Sequence, residues 1–516
     1  MSESRGTQTF WQQTDGRAKA PSLLEDTTAK VCIVGAGIAG LTTAYLLTRA
    51  GHSVIVLDDG PIAGGETGRT TAHLSNAIDR RYSSIEQLHG EKGARLAAES
   101  HSQAIDAIEK IITREGIDCD FERLNGYLFV PPGESAEILE RELKAARRAG
   151  LLEVSLLARA PLDWFDTGPC LCFPNQAQFH PLKYMTALAA AIEQRGGRIF
   201  TGTHATKIEG GPTASVQTNG PTVSSGYVVV ATNTPVNDLV AVHTKQAAYR
   251  SYVVGARIPR ASVTRALYWD TSNPYHYLRI HRHSVQGKDL LLIGGEDHKT
   301  GQADDATQRF ALLEAWGRER FPMIESIDYC WSGQVMESID GLAYVGANPM
   351  DAPNVFIATG DSGMGMTHGT IAGILLTELI LGRDHPWRTL YEPSRITARA
   401  IGDFTRETLN MGAQYGDWLT PGNAPSADEI PAGSGAVIRR GLSKVAVYRH
   451  SNGFAEEFSA VCPHLGCIVG WNSTEKTWDC PCHGSRFDVS GRVLNGPAIA
   501  GLEPVTERVG TSSEES

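Results

Sequence analysis

Apolar and polar residues change period several times along this chain, and each change marks a different kind of element. Lys30–Leu57 reads as strand, glycine turn, helix, strand: AKVCIVGAG is an apolar run ending in glycine, IAGLTTAYLLTRAG has helical periodicity closed by Gly51, and HSVIVLD is a second apolar run. Ser102–Arg114 and Glu134–Arg148 carry mixed charge and are expected as surface helices. Gly226–Thr232 (GYVVVAT) is continuously apolar, which suits a strand buried on both faces. From Ala247 to Glu296 alternation dominates, as in HYLRIHRH and DLLLIGG, and predicts a mostly antiparallel sheet; Val355–Leu381 returns to strand, glycine loop and helix. Arg395–Leu419 is expected as one amphipathic helix, and the stretch TPGNAPSADEIPAGSG after it as the main domain boundary. Short strands with turn residues then run to about Val509, an all-β pattern.

Composition bounds this picture. A chain of 516 residues, 41% of them hydrophobic, has material for two to four domains. A net charge of −11 argues against a nucleic-acid or anionic-membrane surface. The polar N-terminus shows no run of signal-peptide type. The longest apolar pieces, Lys30–Tyr45 and Ile371–Leu381, are interrupted and shorter than the roughly 20 residues of a membrane span. The expectation is therefore a cytoplasmic protein with no membrane span.

Gly35-Ala36-Gly37-Ile38-Ala39-Gly40 follows the first strand and opens the helix, and Asp58 ends the next strand. Here Gly35 makes the tight turn, Gly37 admits a pyrophosphate, Gly40 allows close helix–strand packing, and the acid binds a ribose hydroxyl. Among the nine cysteines, Cys32, Cys119, Cys170, Cys172 and Cys330 are scattered and read as inert, whereas four crowd near the end. Cys462-Pro-His464 and Cys480-Pro-Cys482-His483 offer two thiolates and two imidazoles, the ligand set of a Rieske [2Fe–2S] cluster. A tetrahedral zinc site is the rival reading, and the tight C-x-H start, the additional cysteine pair and the HGS sequence favour iron–sulfur.

The body resembles the D-amino-acid-oxidase/sarcosine-oxidase family of FAD-dependent oxidoreductases. The likeness is carried by VCIVGAGIAGLTTAYLL, GGETGRTTAH, GYVVVAT and the late block from Asp340 to Gly382, which together span most of Lys30–Pro393. It implies an α/β, Rossmann-like FAD domain of glutathione-reductase type (about 30–115, 180–245 and 335–394). An α+β, mostly antiparallel substrate domain (about 116–179 and 246–334) is inserted in it. Around these lie a lead at 1–29, a helix and linker at 395–425, and an all-β Rieske domain at 426–510. Arg69, Thr70 and Thr71 would touch flavin and pyrophosphate. Gly360, Gly363, Gly365 and Gly369 would let backbone approach a flat ring, with N–H groups of Met364, Gly365, Met366 and Thr367 facing the charge of reduced flavin. His73 is read as a loop histidine rather than a covalent flavin link.

The C-terminal text CPHLGC…CPCHGS resembles the cytochrome bc-type Rieske proteins. That likeness implies a Cys467–Cys482 disulfide, a hydrogen bond from Ser485 to a cluster sulfur, and a covering loop at Gly496-Pro497. The chain departs from high-potential members at Phe487, where they carry tyrosine; losing that hydroxyl lowers the potential.

Asn273-x-x-His276-x₄-His281 imitates the histidine spacing of a ring-hydroxylating iron site. On a strand, however, an odd separation of five sends the two imidazoles to opposite faces, so both are expected as sheet-surface residues. The family likeness implies oxidation of a C–N bond in an amine or amino acid, with Tyr277 and Arg279 on one strand face as substrate contacts and Arg279 as a possible carboxylate clamp. Glu296, Asp297 and His298 are candidates for the cavity wall. Sarcosine-oxidase-like relatives carry an oxygen-activating lysine near the flavin, and the comparable position here is Leu292. Pairing a two-electron flavin with a one-electron cluster points to a dehydrogenase that sends electrons singly to an external acceptor. The alternatives are a reductase fed through the cluster and a flavin oxidase with a docking module.

Overall fold

The computed structural model describes residues 8–14, 18–131, 133–237, 242–282, 287–349, 351–397 and 400–505. The chain divides into two units, 1–299 with 305–407, and 300–304 with 408–516.

In the first unit the strands Thr27–Val34, Val54–Leu57, Arg198–Phe200, Thr222–Val230 and Val355–Thr359 pair in parallel, with Tyr344–Ala347 antiparallel at the edge. Strand alternation sends Val31, Ile33, Val54 and Val56 to one core and Cys32, Val34, Ile55 and Leu57 to the other. Two covered faces explain why these segments read as unbroken apolar runs. Helices Ile38–Arg49 and Gly365–Ile380 pack against each other on the first of these cores.

A second, mostly antiparallel sheet of nine strands holds Ser326–Ser338, Gln246–Pro259, Lys288–Lys299 and His276–Arg282 side by side. Leu278 and Ile280 pack into a core with helix Ala306–Arg320, while Tyr277, Arg279 and His281 project from the other face. No helix among the described residues is long and apolar enough to cross a membrane.

Several elements differ from expectation. The helix expected at Ser102–Arg114 runs Tyr82–Glu115, broken at Gly90, and buries Ala94, Ala97, Ala104, Ile105 and Ile108. The expected Arg395–Leu419 helix begins only at Ile401 and ends at Gln414, because Arg395 is drawn into a buried ion pair with Asp340. The N-terminal lead, polar and without an expected element, contains a short helix, Phe10–Thr14, in which Phe10 is 2% and Trp11 0% exposed. Its sequence is polar apart from this aromatic pair, and two residues are too few to register as a period.

The second unit holds a three-stranded sheet (Ser434–Arg440, Ser443–Arg449, Ala455–Ser459) and a four-stranded one (Gly470–Asn472, Thr477–Asp479, Arg486–Phe487, Val493–Asn495). The stretch expected as linker belongs to it: Ile430 packs with Ile438, Val445 and Val447, and Lys444 Nζ donates to the Thr420 carbonyl. The unit boundary falls instead within helix 401–414. Thr300–Asp304 also belongs here, with Gln302 Nε2 donating to the Pro481 carbonyl and Asp304 accepting from the Ser473 backbone.

Candidate functional site

The glycine loop 35–40 is as tight as its sequence demands. A Cβ on Gly40 would lie 1.9 Å from the Gly35 carbonyl oxygen, so only glycine lets the helix start this close to the strand. Asp58 stands at the end of the second strand, where its Oδ2 accepts from the Ala36 N–H (2.6 Å) and its Oδ1 from the Gly60 N–H (2.8 Å). Burial nevertheless pushes its pKa up to about 7. Thr67 Oγ1 accepts from the Ile38 N–H at 3.1 Å, which adds a hydroxyl to the helix N-terminus beside Gly37 and Ala39. Thr67 lies inside the ETGRTT segment, just before the expected contacts Arg69, Thr70 and Thr71. This bare backbone, open first helical turn and flanking acid fit a dinucleotide.

The neighbouring loop is held from outside. Arg69 Nη1 donates to the Ser332 carbonyl, and the Arg69 carbonyl accepts from Trp331 Nε1, each at 2.8 Å. The Thr70 carbonyl accepts from Trp11 Nε1 at 2.7 Å, and Thr71 Oγ1 lies 3.0 Å from His73 Nδ1. Arg69 thus spends its guanidinium on strand 326–338 and positions the loop. Burial, followed by the charge of Arg279, lowers the His73 pKa to about 3, so the ring is neutral.

In the late block, Gly360 and Gly363 have φ of 72° and 75°, backbone that favours glycine. The Met364 N–H donates to the Asp361 carbonyl (2.9 Å), leaving Gly365, Met366 and Thr367 as the first-turn N–H groups without an intrahelical acceptor. Gly369 serves packing rather than ring approach: a Cβ there would meet Ile38 Cγ2 at 2.5 Å, on the neighbouring helix.

On the substrate-domain side, Tyr277 and Arg279 share a face as expected, but they differ in access. Arg279 is 0% exposed; its Nη1 donates to the carbonyls of Ala72 (2.8 Å) and Phe179 (3.3 Å), and its guanidinium lies over the Trp11 ring. A carboxylate clamp needs an accessible guanidinium, so this arginine holds the loop after Thr71 instead. His276 and His281 do occupy opposite faces. Neither is a surface residue, however: His276 is hydrogen-bonded to Asp270 and stacked on Trp316, and His281 is packed against Trp11. Leu292 is fully buried.

Tyr277 keeps partial access; its hydroxyl is 3.1 Å from Ser251 Oγ, and its ring stacks on Tyr275 with centroids 5.8 Å apart. Asp79, Asp297 and Glu337 act on this aromatic pair, and Asp361 stands beside Asp79 and Glu337. All four retain solvent-accessible surface, and Asp79 is exposed. Yet burial above all pushes their pKa values up to about 7, 6, 8 and 7, aided for Asp79 and Glu337 by the other acids of the group, for Asp297 by Glu296 and for Asp361 by Glu66. Accessible surface combined with strong desolvation is the mark of groups lining a recess rather than the outside of the molecule. Arg80, Arg81 and Arg309 act on single members of the group, and Arg309 is paired with Asp305. Of these acids the sequence reading named only Asp297; the others come from separate segments that nothing in a linear pattern connects.

In the second unit, Cys462 and His464 lie on one loop and Cys480 and His483 on another. Cys462 and Cys480 are both 1% exposed, and the two imidazole rings are 4.9 Å apart and T-shaped. Cys480 pulls the Cys462 thiol down, backbone N–H groups of His464 and Leu465 and the Ser485 hydroxyl assist, and those of Cys482 and His483 serve Cys480. Backbone donors converging on two thiols, with two imidazoles adjacent, fit a [2Fe–2S] cluster better than a bare zinc site. Cys467 and Cys482 are joined as a disulfide with Cα atoms 6.5 Å apart, pinning the loops together. Ser485, 0% exposed, accepts from the Ala498 N–H at 3.1 Å, tying in the Gly496-Pro497 loop; Phe487 is also fully buried.

Residues 30–379 match the model of the FAD dependent oxidoreductase family (DAO), and residues 422–506 match the Rieske [2Fe-2S] domain. The Rieske 2Fe-2S iron-sulfur protein YhfW of Bacillus subtilis is 32% identical over 96% of this chain and 97% of its own length. The γ-glutamylputrescine oxidoreductase of Escherichia coli is 28% identical over 70% of this chain and 85% of its own. Glycine oxidase of Geobacillus kaustophilus shares the fold, with a TM-score of 0.57 and 19% identity over 72% of this chain and 99% of that structure.

Proposed function

Because the chain belongs to the FAD-dependent oxidoreductase (DAO) family and ends in a Rieske [2Fe–2S] domain, we propose that it is an amine dehydrogenase. It oxidises a C–N bond of a small amine, and the electrons leave singly through the cluster to an external acceptor. FAD supplies hydride acceptance and the cluster one-electron transfer.

The observation that carries the reading is the group of acids Asp79, Asp297 and Glu337 beside Tyr275 and Tyr277, with Asp361 next to Asp79 and Glu337. Several carboxylates held near neutrality are suited to bind an ammonium group and to take a proton from it, leaving a neutral amine for oxidation. The two tyrosine rings offer a face that attracts a cation. With Arg279 committed to Ala72 and Phe179, the lining favours an amine over the carboxylate of an amino acid. The name of the Escherichia coli relative, γ-glutamylputrescine oxidoreductase, points the same way. Thr67, the glycine loop and Asp58 hold the dinucleotide end of FAD; Cys462, His464, Cys480 and His483 hold the cluster. A cytoplasmic location belongs to the same reading.

The test is anaerobic mixing of the purified protein with matched pairs of amines and amino acids, reading flavin absorbance and cluster EPR together. Amines should bleach the flavin and raise the reduced-cluster EPR signal. Bleaching by amino acids but not by their amine counterparts would overturn the substrate class, and bleaching with no cluster signal would overturn the exit route.

A further inference from the structure

Behind the loop 360–367 lies a pair of histidines that the chemistry above does not use. His101, on helix 82–115, is 0% exposed, and His368, in the first turn of helix 365–380, is 1% exposed. Their Nε2 atoms are 3.2 Å apart. At the outer ends of the pair, His101 Nδ1 is 2.8 Å from Thr367 Oγ1, and His368 Nδ1 is 2.7 Å from the Asp361 carbonyl oxygen.

The protons follow from this geometry. A carbonyl only accepts, so His368 Nδ1 carries a hydrogen. Burial holds both rings neutral, with the pKa of His368 lowered to about 4, so His368 Nε2 is bare. The Ala343 N–H, 3.5 Å from that atom, is consistent with an acceptor there. His101 Nε2 therefore donates to His368, leaving His101 Nδ1 as an acceptor; the Thr367 hydroxyl has two acceptors within reach, that nitrogen and the Met364 carbonyl at 3.2 Å, and the Ser75 backbone is a further hydrogen-bond partner of the His101 ring. The result is a hydrogen-bonded bridge from Thr367 through both imidazoles to Asp361, joining the two ends of the loop. Between those ends Ser362 and Gly363 have φ of 45° and 75°, and a turn built on such backbone persists only when its surroundings hold it.

We propose that His101 and His368 are positioning residues for the flavin, fixing the 361–367 loop from behind so that its first-turn N–H groups stay aimed at the ring. This rests on the reading that FAD lies against that loop. His368 supplies the anchor at Asp361, and His101 the anchor at Thr367.

The test compares His368→Leu, which removes both bonds, with His368→Asn, whose amide can still donate to the Asp361 carbonyl. Gly363→Ala, which distorts the loop directly, is the positive control. The readouts are the visible circular dichroism of the flavin and its midpoint potential. His368→Leu should weaken stabilisation of reduced flavin on the order of tenfold, about 30 mV for a two-electron couple, and alter the dichroism; His368→Asn should restore most of both. If His368→Leu does not fold, His101→Gln, which keeps the donor to His368 but loses the acceptor for Thr367, should shift the same signals. A folded His368→Leu or His101→Gln with wild-type signals, while Gly363→Ala shifts them, overturns the role of the pair and leaves the flavin site standing. If Gly363→Ala is silent as well, the placement of FAD against the loop fails and the inference falls with it.

Discussion

Arg395→Met would strip the partner from a carboxylate that is 1% exposed. Asp340 accepts from Arg395 Nε at 2.8 Å and Nη2 at 2.7 Å and from Thr397 Oγ1 at 2.9 Å, while the guanidinium caps the carbonyls of Leu342 and Ala343 and lies 4.0 Å from the Tyr344 ring centroid. Although burial opposes it, Arg395 holds the Asp340 pKa down to about 2. Against an unfolded value of about 3.9, that linkage contributes roughly 2.5 kcal/mol, fully present above the unfolded pKa and lost as pH falls through about 2. In the wild type this group therefore adds no slope between about pH 5 and about pH 8. In Arg395→Met the carboxylate is left buried with only the His89 ring at 3.9 Å, whose own pKa burial lowers, at a cost of about 3–5 kcal/mol while the ring is neutral and the carboxylate charged. Its folded pKa then rises above the unfolded one, so the penalty grows with pH and is smallest where the group can protonate.

Urea unfolding followed by flavin fluorescence reports this unit. The difference between variant and wild type should be at least ~1 kcal/mol larger at about pH 8 than at about pH 5. Taking the difference cancels the background slope of the same sign from Asp58, Asp79, Asp297, Glu337 and Asp361, whose raised values lower stability as pH rises in wild type and variant alike. Arg395→Met with Asp340→Asn should recover part of the loss. A penalty independent of pH, or larger in acid, would refute the reasoning.

Three further outcomes are expected. The KM for an amine substrate should fall as pH rises through the range about 6 to 8 in which the recess carboxylates ionise, and Glu337→Gln should flatten the upper part of that profile in steady-state assays. Phe487→Tyr, which restores a donor near the cluster, should raise its midpoint on the order of 100 mV in an EPR-monitored redox titration, the worth of one hydrogen bond to a charged group for a one-electron couple. Trp11→Ala removes a fully buried ring and the bond to the Thr70 carbonyl; it should destabilise the first unit by about 3–5 kcal/mol in thermal unfolding.

Much of this molecule could be read from its sequence because its chemistry is carried by short local patterns. The glycine loop with Asp58, and the two cysteine–histidine loops, each keep their parts within a few residues or one supersecondary unit. What the sequence hid depends on residues far apart in the chain. Asp79, Asp297, Glu337 and Asp361 come from four segments, and His101 meets His368 across two helices. Arg279 matched the strand face expected of a substrate contact, yet Trp11, from the polar N-terminal lead, covers its guanidinium. Arg395 stood in a plausible helical pattern, and a single buried ion pair overrode it.

The central claim is that electrons taken from substrate at FAD leave through the cluster, and anaerobic reduction in small electron increments tests it most directly. With flavin followed by absorbance and the cluster by EPR, the account predicts that the reduced-cluster signal grows before the flavin has bleached fully. Flavin that bleaches completely before any cluster signal appears would contradict it, placing the cluster on the entry side.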